Sequence, residues 1–202
     1  MRLILIIGVS GCGKTTIGKA LAAKLGCPFL DADEFHPEAN IRKMAGGIPL
    51  RDEDRWPWLQ NCVAAVREHQ TDPSRSVVLA CSALKEAYRD IFKKAFPERV
   101  LVYLKGSPSR IEQRMRQRKG HFMKERMLRS QFADLEEPED AVVIPVELPV
   151  DAVVGRILEA LCIERESLLP EYRELGTRGG NDQAVGPQLG IIQVFALGVV
   201  AD

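Results

Sequence analysis

The chain has 202 residues, 46% of them hydrophobic, enough to bury a full core in one domain. Its 28 Lys and Arg balance its 28 Asp and Glu, which excludes a general polyanion binder, so nucleic acid is not an expected partner. No apolar stretch approaches the roughly 20 residues that span a bilayer, and five cysteines without a C-x-x-C pair read as reduced thiols of a soluble, cytoplasmic protein with no membrane partner.

Met1-Arg2 and the apolar run after it imitate a secretory leader, but the run meets no small-residue cleavage pattern, so Leu3 to Ile7 reads as a first strand. It enters Gly8-Val9-Ser10-Gly11-Cys12-Gly13-Lys14-Thr15, and from Thr16 to Leu25 apolar residues recur at helical spacing. A G-x-x-x-x-G-K-[ST] run between strand and helix is the context of a phosphate-binding loop. Gly8, Gly11 and Gly13 let successive N–H groups converge on phosphate oxygens, and the helix start adds partial positive charge. Lys14 is expected to reach the β- and γ-phosphates and Thr15 to ligate Mg²⁺, so ATP is expected on Gly8, Val9, Ser10, Gly11, Cys12, Gly13, Lys14, Thr15 and Thr16.

Gly26 stops the first helix, and Pro28 to Asp31 reads as a second strand. A carboxylate ending a strand beside a phosphate loop suits a Mg²⁺-organising role, assigned to Asp31. In extended chain Asp31 and Asp33 point the same way, so Asp33 is expected to meet the acceptor hydroxyl. Helices follow from Pro37 and from Asp52, the latter with a core stripe of Leu59, Cys62, Val63 and Val66; Trp56 and Trp58 read as core or pocket wall.

Val77 to Cys81 and Val100 to Leu104 lack alternation, as strands buried on both faces do. Between them, Lys85 and Arg89 lie one helical turn apart near the sheet's ligand-binding edge, with a solvated basic pair as the alternative. A helix from Pro108 to Arg118 sets Arg114 and Arg118 beside its Ile111 to Met115 stripe and Arg116 opposite; with a hinge at Gly120 and a helix bearing Leu128, Phe132 and Leu135, this reads as a lid over about 114–132. Ala141 to Val146 reads as an edge strand, and a closing helix follows Asp151. The alternation predicts an α/β fold, a five-stranded parallel sheet with helices on both faces. Neither D-x-x-G with N-K-x-D nor L-S-G-G is present, which leaves the layout of a small phosphotransferase.

The stretches Gly8 to Thr15, Asp31 to Glu38, Gly47 to Leu50 with Asp52 to Leu59, Leu79 to Lys85 with Tyr88 to Asp90, and Gly120 to Met123 together resemble gluconokinase, from the first strand to about Ile163. The resemblance implies a fold like the nucleoside monophosphate kinases and shikimate kinase, and transfer of the ATP γ-phosphoryl group to the 6-hydroxyl of D-gluconate. It implies Lys14, Asp33 and Arg118 as catalytic groups, Arg114 on the nucleotide, and Asp33, His36, Arg55, Lys85, Arg89 and His121 around the substrate. Arg55, Lys85 and Arg89 are unranked candidates for its carboxylate. A kinase of another hydroxy acid or of a nucleotide, and a nucleotide-binding regulatory module with little turnover, stay open, as does a homodimer. The domain is expected to span 1–163, with an acceptor segment at about 33–70; residues 164–202 form an extension of unassigned role that ends in an apolar run.

Overall fold

In the five-stranded sheet, Leu3–Ile7 (β1) is the central strand, because all five of its residues are buried and can only lie between two layers of helices. The computed structural model describes residues 2–70, 75–116 and 122–167, of which 122–127 and 163–167 are described as backbone alone. The other strands are Phe29–Asp31 (β2), Val77–Ala80 (β3), Val100–Lys105 (β4) and Val142–Pro145 (β5), and the sheet order is β2-β3-β1-β4-β5, with every pairing parallel.

Alternation along β1 divides the core. Leu3, Leu5 and Ile7 face a cluster with Trp58, Leu59, Cys62, Val63 and Val66 of α3 (Asp52–His69) and with Tyr88 and Phe92 of α4 (Glu86–Ala95). Ile4 and Ile6 face the other cluster, with Ile17 and Leu21 of α1 (Lys14–Leu25), Ile111 and Met115 of α5 (Pro108–Arg116), and Val153 and Ile157 of α7 (Val150–Ser167). The remaining α-helices among the described residues are α2 (Glu38–Ala45) and α6 (Phe122–Asp134). Helix α7 runs four residues past Ile163, the end expected from its apolar spacing.

Because every strand runs the same way, the carboxyl ends meet on one edge, where open parallel sheets hold their ligands. The register aligns Ile6 with Ala80 and Ala80 with Asp31. The loop leaving β1 and the carboxylate ending β2 therefore stand level, although 16 residues separate Thr15 from Asp31.

After β4 the chain passes under β5 at Gly106. A Cβ there would lie 2.6 Å from Val146 Cγ2 and 2.8 Å from Ile111 Cδ1. Both neighbours are buried and cannot swing away. Gly106→Ala is expected to cost about 1–3 kcal/mol of stability through overpacking. Urea unfolding should show a lower midpoint at unchanged slope; an unshifted midpoint would mean that the β4–α5 turn yields freely.

Candidate active site

The loop from Gly8 to Gly13 is shaped by three glycines at positive φ: 141° at Gly8, 84° at Gly11 and 107° at Gly13. Gly8 is the most constrained, since a Cβ there would also sit 2.9 Å from the Leu104 carbonyl oxygen and 2.9 Å from Cys12 Sγ; at Gly11 it would sit 2.8 Å from Met115 Cγ. Val9 and Cys12 are buried beneath the loop, and a 3.3 Å bond from the Cys12 N–H to the Val9 carbonyl tightens its turn. Lys14 Nζ lies back over the loop and donates to the carbonyls of Gly8 (2.9 Å) and Val9 (3.1 Å). Ser10 is held by Gln131 of α6, whose Oε1 accepts from the Ser10 N–H at 2.6 Å while its Nε2 donates to Ser10 Oγ at 2.9 Å.

Thr15 Oγ1 donates to Asp31 Oδ2 at 2.8 Å. A hydroxyl and a carboxylate are hard oxygen donors of the kind Mg²⁺ accepts while keeping several waters, so the pair fits that ion. Asp33 is not one pleat further along a strand, as alternation suggested. The strand stops at Asp31, whose Oδ1 accepts from the Asp33 N–H at 3.2 Å and caps a 3₁₀ turn over Ala32–Phe35. An Asp that bonds the backbone two residues on offers the chain a turn in place of a strand. Trp58 Nε1 pins this turn by donating to the Ala32 carbonyl at 2.7 Å.

His36 follows the turn and stacks on Trp58, with ring centroids 4.3 Å apart. The two tryptophans thus separate: Trp58 is buried, whereas Trp56 is 37% exposed and meets Tyr88 edge-on. Burial lowers the His36 pKa from its ordinary 6.5; nearby Arg55 adds to the shift and Asp33 opposes it.

The three cations expected near the acceptor differ in what holds them. Lys85 Nζ donates to both oxygens of Asp52, at 2.9 and 3.1 Å, and Tyr88 Oη donates to Asp52 Oδ1 at 2.6 Å. The Tyr88 and Lys85 bonds hold the Asp52 carboxyl below its usual range, while burial and Asp52 push the Tyr88 phenol up to about 12. Arg89 is 5% exposed and donates through one terminal nitrogen to the carbonyls of Ala83 (3.3 Å) and Leu84 (2.7 Å). Lys85 and Arg89 therefore do not form one basic surface: Lys85 precedes the helix as its cap, and Arg89 turns inward to hold the β3–α4 loop. Arg55 is largely buried, reaches the Leu50 carbonyl at 3.5 Å and Asp134 at 4.0 Å, and lies over the Tyr88 ring at 5.5 Å. Its buried Nε has no protein partner.

On the other side of the loop lies a cavity of about 330 Å³. Gly11, Cys12, Gly13 and Thr16 form one wall; Leu104, Val146, Leu148, Val150 and Val153 form an apolar one, and Arg114 closes an end. Arg114 donates to the Val146 carbonyl, while Arg116 points to solvent and pairs with Glu112 at 3.3 Å. Arg118, His121 and the Gly120 hinge lie outside the described residues. Among the described residues, the cysteines are free thiols; burial pushes Cys81 up to about 12 and Cys62 higher, so neither is a ready nucleophile. No helix among them is long and apolar enough to cross a membrane.

Sequence reasoning gave no role in the site to Asp52, Gln131, Val146 or Leu148, and placed Tyr88 only on the inward face of its helix. Only Gln131 carried a legible signal: it stands at i+3 from Leu128 and next to Phe132, a polar residue on an otherwise apolar stripe.

The shikimate kinase family model matches residues 10–160. The thermoresistant gluconokinase of Escherichia coli is 41% identical over 79% of this chain and 93% of its own length. A probable gluconokinase of Schizosaccharomyces pombe is 43% identical over 72% of this chain and 80% of its own. A crystal structure of a gluconokinase from Sinorhizobium meliloti, 40% identical, superposes with a TM-score of 0.74 over 83% of this chain and 95% of that one. Shikimate kinase from Bacteroides thetaiotaomicron, at 22% identity and a TM-score of 0.55 over 79% of this chain and 98% of that one, shares the fold.

The His36 environment has a consequence for stability. A histidine whose folded pKa lies below its unfolded value contributes stability above the unfolded pKa, and that contribution is lost as pH falls below about 6.5 through the folded pKa. Thermal melts between pH 7.5 and 5 should show a steeper loss for the native chain than for His36→Phe, which keeps a ring on Trp58 but cannot titrate. Parallel curves would remove His36 as the source.

Proposed function

The chain belongs to the gluconokinases, ATP-dependent phosphotransferases on the shikimate kinase fold, and on that premise we propose that it transfers the γ-phosphoryl group of ATP to the 6-hydroxyl of D-gluconate, giving 6-phospho-D-gluconate. The observation that carries this reading is the Thr15–Asp31 bond, which joins the phosphate loop to the turn bearing Asp33.

The nucleotide base and ribose belong in the apolar cavity beside Gly11 and Thr16, with Arg114 at its end. The phosphates then run over the N–H groups at the start of α1, and Lys14 exchanges the Gly8 and Val9 carbonyls for β- and γ-phosphate oxygens. Thr15 and Asp31 would hold Mg²⁺, which would neutralise charge developing on the phosphates. Asp33 orients the attacking hydroxyl and takes up its proton late in a loose transition state.

Lys85 is committed to Asp52 and Arg89 to backbone carbonyls, which leaves Arg55 as the cation best able to take the substrate carboxylate. Lys85 and Asp52 instead offer a paired donor and acceptor to the polyol. His36, neutral at pH 7, lies in the fields of both Asp33 and Arg55 and offers the polyol a ring nitrogen. Arg118 and His121, which lie outside the described residues, complete this assignment on the sequence resemblance alone.

An ADP-release assay over D-gluconate, shikimate and nucleoside monophosphates tests the acceptor; turnover of a nucleotide with none of gluconate overturns the reading. Asp33→Asn should lower kcat by roughly 10²- to 10⁴-fold with ATP·Mg²⁺ affinity kept, whereas Asp31→Asn should raise the Mg²⁺ requirement. Arg55→Ala should raise the gluconate KM by about 10- to 100-fold, the range for losing a charged hydrogen bond, and leave the ATP KM in place.

We assign catalysis to residues 1–163. A chain lacking residues 176–202 should therefore keep its kcat on gluconate; loss of soluble protein on truncation would assign the tail to the core.

A further inference from the structure

Gln131 sits on the inward stripe of α6. One turn before it, Leu128 is buried in the cluster that holds Ile111 and Met115, and Phe132 beside it packs on the same cluster. An amide at such a position must find partners, and Gln131 finds both of its partners in one residue, 121 positions earlier.

The orientation of the carboxamide is fixed by chemistry. A backbone N–H can only donate, so the group facing Ser10 N at 2.6 Å is the carbonyl oxygen Oε1; the amino group is then left facing Ser10 Oγ, at 2.9 Å. Two bonds from one rigid plane fix both the direction of the Ser10 amide and the rotamer of its hydroxyl. Ser10 lies in the turn of the phosphate loop between Val9, whose carbonyl holds Lys14, and Gly11, which borders the cavity.

The same short stretch of chain reaches the acceptor side. Three residues after Gln131, the Asp134 carboxylate stands 4.0 Å from Arg55. Two further on, the Glu136 N–H donates to the Leu84 carbonyl at 3.0 Å, and its carboxylate accepts from the Glu86 N–H at the start of α4. Residues 131–136 thus touch the phosphate loop, the acceptor helix α3 and the β3–α4 loop, the three elements between which a phosphoryl group would pass.

We infer that Gln131 is a positioning residue for phosphoryl transfer: by holding Ser10 at two points it fixes the crown of the phosphate loop relative to the acceptor site. The inference rests on the kinase reading above and adds a residue that acts through Ser10 without needing to touch a substrate. A misplacement of about 1 Å in reacting groups costs on the order of 10²-fold in rate, so losing this hold should appear in kcat.

Gln131→Leu keeps the size of the side chain and its packing beside Leu128, and removes both bonds. It should lower kcat by about 10- to 100-fold, with the gluconate KM within about twofold of the native value and the melting temperature little changed. A residue that only anchors α6 would behave the opposite way, with a lower melting temperature and kcat retained well below it. Ser10→Ala removes one of the two bonds. In a double-mutant cycle the Ser10→Ala/Gln131→Leu chain should be no slower than Gln131→Leu alone, because the hydroxyl then has no partner left to lose.

A kcat for Gln131→Leu within twofold of native, or multiplicative losses in the cycle, overturns the inference. The native chain, assayed in parallel, separates this failure from failure of the functional reading. If the native chain ignores gluconate, the acceptor assignment falls, and the same cycle, run on whichever acceptor releases ADP or on the basal ADP release in water, decides for or against Gln131.

Discussion

The hydrogen bond between Thr15 and Asp31 exists only because three strands hold one register. Ile6, Ala80 and Asp31 form a row across β1, β3 and β2, and the phosphate loop begins two residues beyond Ile6. Sliding β2 by one residue would turn Asp31 to the opposite face of the sheet and bring Leu30 to the loop, since side chains alternate along a strand. The register is in turn held by burial: Leu30 and Leu79 lie together in the cluster under α3, where a polar group would be costly. A hydrophobic constraint thus sets the position of a charged donor pair.

The β3–α4 loop shows how the same edge stores strain. Ala83 has a φ of 36°, a left-handed conformation that costs a residue with a Cβ on the order of 1–2 kcal/mol. It is fully buried, so a longer side chain has nowhere to go. Arg89 holds its carbonyl and the next one from inside, and Glu136 holds the loop from the far side through the Leu84 carbonyl and the Glu86 N–H. Burial works against the charge of the Arg89 guanidinium, and the carboxylates of Glu136, Asp140, Glu86 and Asp90 work for it.

What the sequence made legible was what local rules decide. The glycine spacing of the phosphate loop, the unbroken apolar runs of β1, β3 and β4, the Gly26 stop and the edge strand with Pro145 each follow from backbone or burial preferences within a few residues. What failed depended on partners far along the chain. Helical spacing put Lys85 and Arg89 on one side, but Asp52 draws one outward to α3 while the carbonyls of residues 83 and 84 draw the other in. The alternation of Asp31 and Asp33 failed for a local reason of another kind, because an aspartate can end its own strand by capping the turn that follows. Gln131 needed a partner 121 residues away, and only its polar character on an apolar stripe hinted at one.

The side-chain donors of Lys14 and Thr15 and the Ser10 N–H already hold protein partners, and this bears on how the loop would take a phosphate. Lys14 donates to two neutral carbonyls, and Thr15 donates to a carboxylate. The Lys14 bonds already have one charged partner, the ammonium, and fall in the range of about 1.5–3 kcal/mol; a phosphate oxygen adds an opposite charge, which makes the bond shorter and stronger. Exchanging carbonyl oxygens for the anionic oxygens of a phosphate therefore favours Lys14 leaving its resting partners. Thr15, already on an anion, gains little from a phosphate and much from a cation that Asp31 shares. Ser10 differs from both, since the Gln131 oxygen is neutral but the bond is one of a pair made by a single rigid group. Releasing it means releasing two bonds together, so the loop's crown is the part least ready to move, and incoming phosphates must fit to it.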